Sequence, residues 1–151
     1  MSKHIARMKP ECHKLLGKSA FDEAKINEWI AWAQCEWLPA IHPPLFAIYG
    51  LKPISSANYA ESIKEMKTLA KVLDVSLKGK QWLVGDTISL ADLYVGACCA
   101  ASFQTVLDAG FRKAMPNLSS WFERWATHHP VVKRHGFIKA CSKALKPEFV
   151  E

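Results

Sequence analysis

The spacing of the reactive side chains in this sequence decides what chemistry each could do. Asp92 is the acid best placed for general-base work, inside the apolar run Ile88-Ser89-Leu90-Ala91-Asp92-Leu93. Its distance from Ser89 gives it another task. A serine at a helix N-cap accepts from the amide three residues on, and an acid at that position reaches back to the serine amide. Ile88 and Leu93 then stand where a hydrophobic staple needs them. Ser89 and Asp92, with Ile88 and Leu93, are therefore read as a structural cap and staple.

The remaining candidates are thiols, imidazoles and phenols. Cys12, Cys35, Cys98, Cys99 and Cys141 are odd in number and form no C-x-x-C pair, the usage of small apolar fillers in a reducing compartment. Neighbours on a helix diverge by about 100°, so neither Cys98-Cys99 nor His128-His129 can readily share a metal. No metal or cofactor is expected. Cys12 lies near Lys9, His13 and Lys14, a setting that favours a thiolate, yet a linker thiol without function is the simpler reading. Tyr49, Tyr59 and Tyr94 fall on expected apolar faces or helix ends and are assigned to packing. No catalytic residue emerges.

Composition narrows the class. With 151 residues, half of them apolar, and six tryptophans, the chain can bury a core of its own and is not of the disordered type. No apolar run nears the ~20 residues of a membrane-spanning helix. The basic stretch from Met1 to Lys18 is broken by Pro10 and Glu11 and lacks a hydrophobic core, so it does not read as a secretory signal. A cytoplasmic location is expected. The net charge of +6 is concentrated towards both ends of the chain. Such ends can attract an acidic partner or RNA, though a solvated face is the simpler account.

The elements that must position these residues are helical. A first helix is expected over 21–38, started by Ser19 with Asp22 three residues later. Ile26, Trp29, Ile30, Ala33 and Trp37 share one stripe. Trp32 points off it, on a face with Glu36, and a large ring there needs a reason. Pro39 should end or bend the helix, and Pro43-Pro44 should bend the segment after it. A second helix is expected over 58–77, with the seam Tyr59, Ile63, Met66, Ala70, Leu73 and Leu77, widened by Leu69 and Val72; Gly79 lies beyond its end. Residues 81–87 read as a brief extended segment with a turn.

The capped helix, over 90–107, carries almost no charge after Asp92 and contains Gly96, Ala97, Cys98, Cys99, Ala100 and Ala101. It is apolar on all sides and thin, hence a buried central helix. Pro116-Asn117 opens another, with Leu118, Trp121, Phe122 and Trp125 on one face. Pro130 opens the last. There Phe137, Ile138, Cys141, Ala144 and Leu145 share a face, while Lys139, Lys143 and Lys146 lie opposite.

The stretch from Leu83 to Asp92 resembles the signature of the glutathione transferase C-terminal domain, whose central helix starts at a Ser/Thr-x-x-Asp cap. The fold implied is an all-α bundle around a buried central helix. Within that superfamily the chain is most similar to the gamma subunits of elongation factor 1. Residues 28–33 with the Pro-rich bend to Gly50-Leu51, the run from Val106 through Asn117 to Trp121-Phe122, and the ending Lys146-Pro147-Glu148-Phe149 carry this likeness.

The resemblance also implies an organisation. Residues 1–17 would be the remnant of the last helix and linker of a thioredoxin-like domain, and 18–151 the helical domain. Because the catalytic residue and most glutathione contacts of a transferase lie in that other domain, the resemblance implies a non-catalytic assembly module. Its partners would be elongation factor exchange subunits or other transferase-like domains, and a homodimer is compatible with it. Trp32 and Glu36, on a helix that in transferases faces a subunit interface, and Lys139 and Lys143, on the basic last helix, are the candidate interface residues. That basic helix also leaves room for weak, charge-driven RNA contact. Two alternatives stay open: the half of a glutathione transferase that walls the apolar-substrate site, and a docking appendage of an aminoacyl-tRNA synthetase complex.

Overall fold

A computed structural model describes His4, Arg7, Met8 and residues 10–150. Residues 1–3, 5, 6 and 9 of the expected 1–17 remnant therefore lie outside the described residues. Its last part, Pro10–Leu16, forms a 3-10 turn packed on the first helix. Next along the chain are α1 (Ala20–Trp32), a π-helical turn (Ala33–Trp37), α2 (Leu38–Ile48) and α3 (Ser56–Ser76). After them come α4 (Leu90–Thr105), α5 (Ala109–Ala114), α6 (Pro116–Thr127) and α7 (His129–His135). No sheet forms among the described residues; the one β-like contact there is a parallel bridge between Ile54 and Phe149.

Local chemistry starts these helices as expected. Ser19 accepts from the Asp22 amide at 3.1 Å, and Ser55 accepts from the Asn58 amide at 3.3 Å. Each such cap satisfies one of the amides that a helix start leaves unpaired.

Pro39 does not end the first helix. The chain stays helical through Pro39, Pro43 and Pro44 to Ile48. The physical reason lies directly ahead of Pro39. Leu38 donates to Ala33, five residues back, so one widened turn sits where a proline's ring and missing amide would break the four-residue ladder.

The central helix α4 is the hub, packed by α1, the π turn, α2 and α6. Ala91, Asp92, Val95, Cys99 and Phe103 are buried along it. Gly96 shows why it must be thin. A Cβ there would come within 2.4 Å of the Trp125 ring, so only glycine lets α6 approach this closely. Further along α4, Phe103 stacks on Phe122 with centroids 3.7 Å apart. The seam of α3 holds at Tyr59, Met66, Ala70, Leu73 and Leu77, all buried, with Ile63 and Leu69 packed beside them. Val72 is exposed instead.

The expected basic amphipathic last helix does not form beyond His135. Gly136 takes φ 74° and ends α7, a left-handed stop directly after the basic turn Lys133-Arg134-His135. Residues 136–150 form an irregular strap, and the carbonyls at the end of α4 explain its course. The Cys141 amide donates to Phe103 O at 2.8 Å and the Leu145 amide to Thr105 O at 2.7 Å. These acceptors belong to the last turn of α4, which no intrahelical donor reaches. Arg112 fastens the strap, its Nη1 donating at 2.6 Å to both Leu107 O and Cys141 O.

Candidate functional site

The acid singled out by spacing is fully buried and saturated. Its Oδ2 accepts from the Ser89 amide at 2.9 Å and the Ser89 hydroxyl at 2.6 Å. Its Oδ1 accepts from the Leu83 amide and from Trp121 Nε1, both at 2.8 Å. The capping box is complete, with Ser89 Oγ accepting from the Asp92 amide at 3.4 Å. Ile88 and Leu93, the staple pair, are packed on the core.

Burial raises the Asp92 carboxyl above its usual range, against the lowering effect of the hydrogen bonds from Ser89, Leu83 and Trp121. A base needs a free lone pair within reach of substrate. Asp92 spends its lone pairs on the loop before α4, on the helix start and on α6.

The central-helix thiols are equally committed. Burial pushes Cys98 up to about 11 and Cys99 well above the ordinary thiol value, so both stay protonated and poorly nucleophilic near neutrality. Burial also raises Cys141, against the lowering effect of Arg112. Among the described residues no group of three or more His, Cys, Asp or Glu is placed to hold a metal. Of the phenols, Tyr59 is buried and donates to Leu145 O at 3.2 Å. Tyr94 is half-exposed and accepts from Gln34 Nε2 at 3.0 Å. Tyr49 is exposed at the end of α2, not packed as expected.

Trp32 sits in an aromatic chain. Its ring lies 5.3 Å from Trp29, edge to face, and 5.9 Å from Trp37. On a regular α-helix residues five apart point about 140° away from each other. The π turn reduces that separation and brings Trp32 beside Trp37, whose Nε1 donates to Cys98 O at 3.3 Å. Trp32 thus leans on the core through Trp37 while part of its ring stays open. Glu36 is exposed in the π turn. Lys139 and Lys143 are on the strap, because the helix expected to carry them ends at Gly136, and both are exposed. No described hydrogen bond or ion pair joins these two pairs.

A shallow apolar groove of 370 Å³ opens between α2 and α4, lined by Leu38, Ile41, His42 and Leu45 of the first and Tyr94, Ala97, Cys98 and Ala101 of the second. The small side chains Ala97, Cys98 and Ala101 leave this face of α4 hollow.

Two tertiary fastenings have no counterpart in the local spacing. Asp74, buried on α3, accepts from the Leu118 amide at 2.9 Å and from Asn117 Nδ2 at 3.1 Å. It caps α6, which has no local side-chain cap. The only hint was an acid directly beside the apolar seam at Leu73. The strap is the other; its signal was Gly136 after a basic turn.

The profile described as "Glutathione S-transferase, C-terminal domain" matches residues 37–128. Glutathione S-transferase stcT of Emericella nidulans is 36% identical over 110 residues, 73% of this chain and 51% of that protein. Elongation factor 1-gamma of Artemia salina is 32% identical over 130 residues, 86% of this chain and 30% of that protein. The chain thus spans about half or less of the length of these curated relatives. Among solved structures, the GST-like domain of elongation factor 1-gamma from Saccharomyces cerevisiae superposes with a TM-score of 0.87 at 17% identity, covering 96% of this chain and 68% of that one.

Proposed function

Because the chain belongs to the glutathione S-transferase C-terminal domain family, we propose that it is a non-catalytic assembly module of the elongation factor 1-gamma type. In this reading it works in the cytoplasm and holds guanine-nucleotide exchange subunits. The observation that carries the proposal is the likeness of nearly the whole chain to the GST-like domain of elongation factor 1-gamma. The side chains agree with it. The buried acid is consumed by four donors, and the central-helix thiols are held protonated by burial. The molecule offers surface instead: the hollow between α2 and α4, and the partly open Trp32 with Glu36 beyond it.

The test is capture of purified elongation factor exchange subunits on the immobilised full chain. Wild type should retain them, and Trp32→Ala should weaken retention by roughly tenfold, the scale of a truncated aromatic anchor. Failure of wild type to retain any exchange subunit overturns the reading.

A second reading rests on the 36% identity to a glutathione S-transferase: this is the half of such an enzyme that walls the apolar-substrate site. It requires glutathione conjugation of chlorodinitrobenzene once a thioredoxin-like half is supplied in trans. The assembly reading requires none.

A further inference from the structure

A second groove, of 770 Å³, lies along α2 and faces α3. Its lining starts at Pro39, nineteen residues of helix beyond the start of α1. At 1.5 Å per residue, that places it roughly 30 Å from the end of the helix where the chain enters. Its apolar lining includes Pro39, Pro43, Phe46 and Ile54, with Phe46 stacked on His42 at 5.1 Å. One wall carries Glu61 and Glu65, a helical turn apart, both exposed. No described cation pairs with either. Lys52 stands in the same groove but also borders an adjoining one with Glu148. On a chain of net charge +6, the groove sets two carboxylates on one wall against Lys52 and His42 elsewhere in its lining.

Its edge already holds one extended peptide. The Val150 amide donates to Ile54 O at 3.1 Å, Ile54 bridges Phe149 in parallel, and Val150 lines the groove. The Ile54 carbonyl is thereby taken, and the chain's own extended Phe149-Val150 segment forms that edge of the groove.

We propose that this groove binds an extended segment of a partner protein in which apolar side chains alternate with lysine or arginine. Alternation places apolar side chains on the proline and Phe46 floor and turns basic ones to Glu61 and Glu65, as period-two geometry requires. The proposal deepens the assembly reading by giving it a place and a partner chemistry, and it rests on that reading for its biological role.

The experiment uses the full chain and a fluorescein-labelled hexapeptide of alternating leucine and lysine, followed by fluorescence polarisation. The expected result is saturable binding that weakens about tenfold in Glu61→Lys/Glu65→Lys, the effect of reversing two partly solvated charges. The same peptide with glutamate for lysine should not bind. Phe46→Ser, checked for folding by circular dichroism, should weaken binding with little change in salt dependence.

Equal binding of the lysine and glutamate peptides, or full affinity in the charge-reversed variant, overturns the proposal. Self-association of the chain abolished by that variant would overturn it in favour of a second copy as occupant. The two readings fail separately: peptide binding without capture of exchange subunits sinks the assembly role, and capture without peptide binding sinks the groove.

Discussion

The starts of α4 and α6 are held by the same chemistry from opposite distances. At α4 the carboxylate comes from within the first turn, where Asp92 and Ser89 exchange hydrogen bonds across three residues. At α6 it comes from Asp74 on another helix, 44 residues before the amide it binds. Both satisfy amides that would otherwise be buried without partners. The first can form as soon as its own segment turns. The second exists only after α3 and α6 have packed. The difference teaches that a helix can be specified locally or by assembly, and that a core residue such as Asp92 can do both, since it also takes Leu83 and Trp121.

The contrast between the two caps is tested most severely at Asp92. Asp92→Ala leaves the Leu83 amide, the Ser89 amide and Trp121 Nε1 without their acceptor, and should destabilise the chain by about 3–5 kcal/mol. Urea denaturation followed by tryptophan fluorescence measures it; a loss no larger than that of a surface cap would refute the hub role.

Asp74→Ala comes next, at about 1–3 kcal/mol, since one buried amide and one side-chain amide lose their acceptor. Hydrogen exchange should show faster exchange at the Leu118 amide than at the Asp92 amide. Equal acceleration at both would mean that the two caps are not independent.

The smallest effect sharpens the contrast. In an isolated peptide of residues 86–107, Ser89→Ala should remove about 1 kcal/mol of helix stability, read as lower ellipticity. A peptide of residues 115–128 should have little helix to lose, because its cap stays behind on α3. Appreciable helix in that second peptide would show that α6 needs no capping acid.

These two caps also divide the local from the assembled. The Ser89/Asp92 box and its staple were legible in the sequence because their partners lie within one turn, where spacing alone defines geometry. The Leu118, Trp121, Phe122 and Trp125 face was legible for the same reason, and these residues are buried together. Trp32 was not. A wheel of constant 100° per residue cannot contain a π turn, so the ring that looked isolated beside Glu36 instead meets Trp37. The basic helix bearing Lys139 and Lys143 was expected on periodicity. A glycine stop at Gly136 and the unpaired carbonyls of α4 drew the same residues into a strap.

Among the candidate surfaces, no spacing rule could have found Glu61 and Glu65 as the wall of a groove with Pro39, Pro43 and Phe46. These residues become neighbours only when α2 and α3 pack.

By itself the sequence determined the helical class, the buried central helix and its cap, because burial patterns and hydrogen bonds across three or four residues are written within a single turn. Only the tertiary structure decided where the prolines are tolerated, which acid caps α6, how the last residues run and which faces remain open. Those outcomes depend on donors and acceptors brought together from distant parts of the chain, and a buried polar group accepts whichever partner the packing delivers.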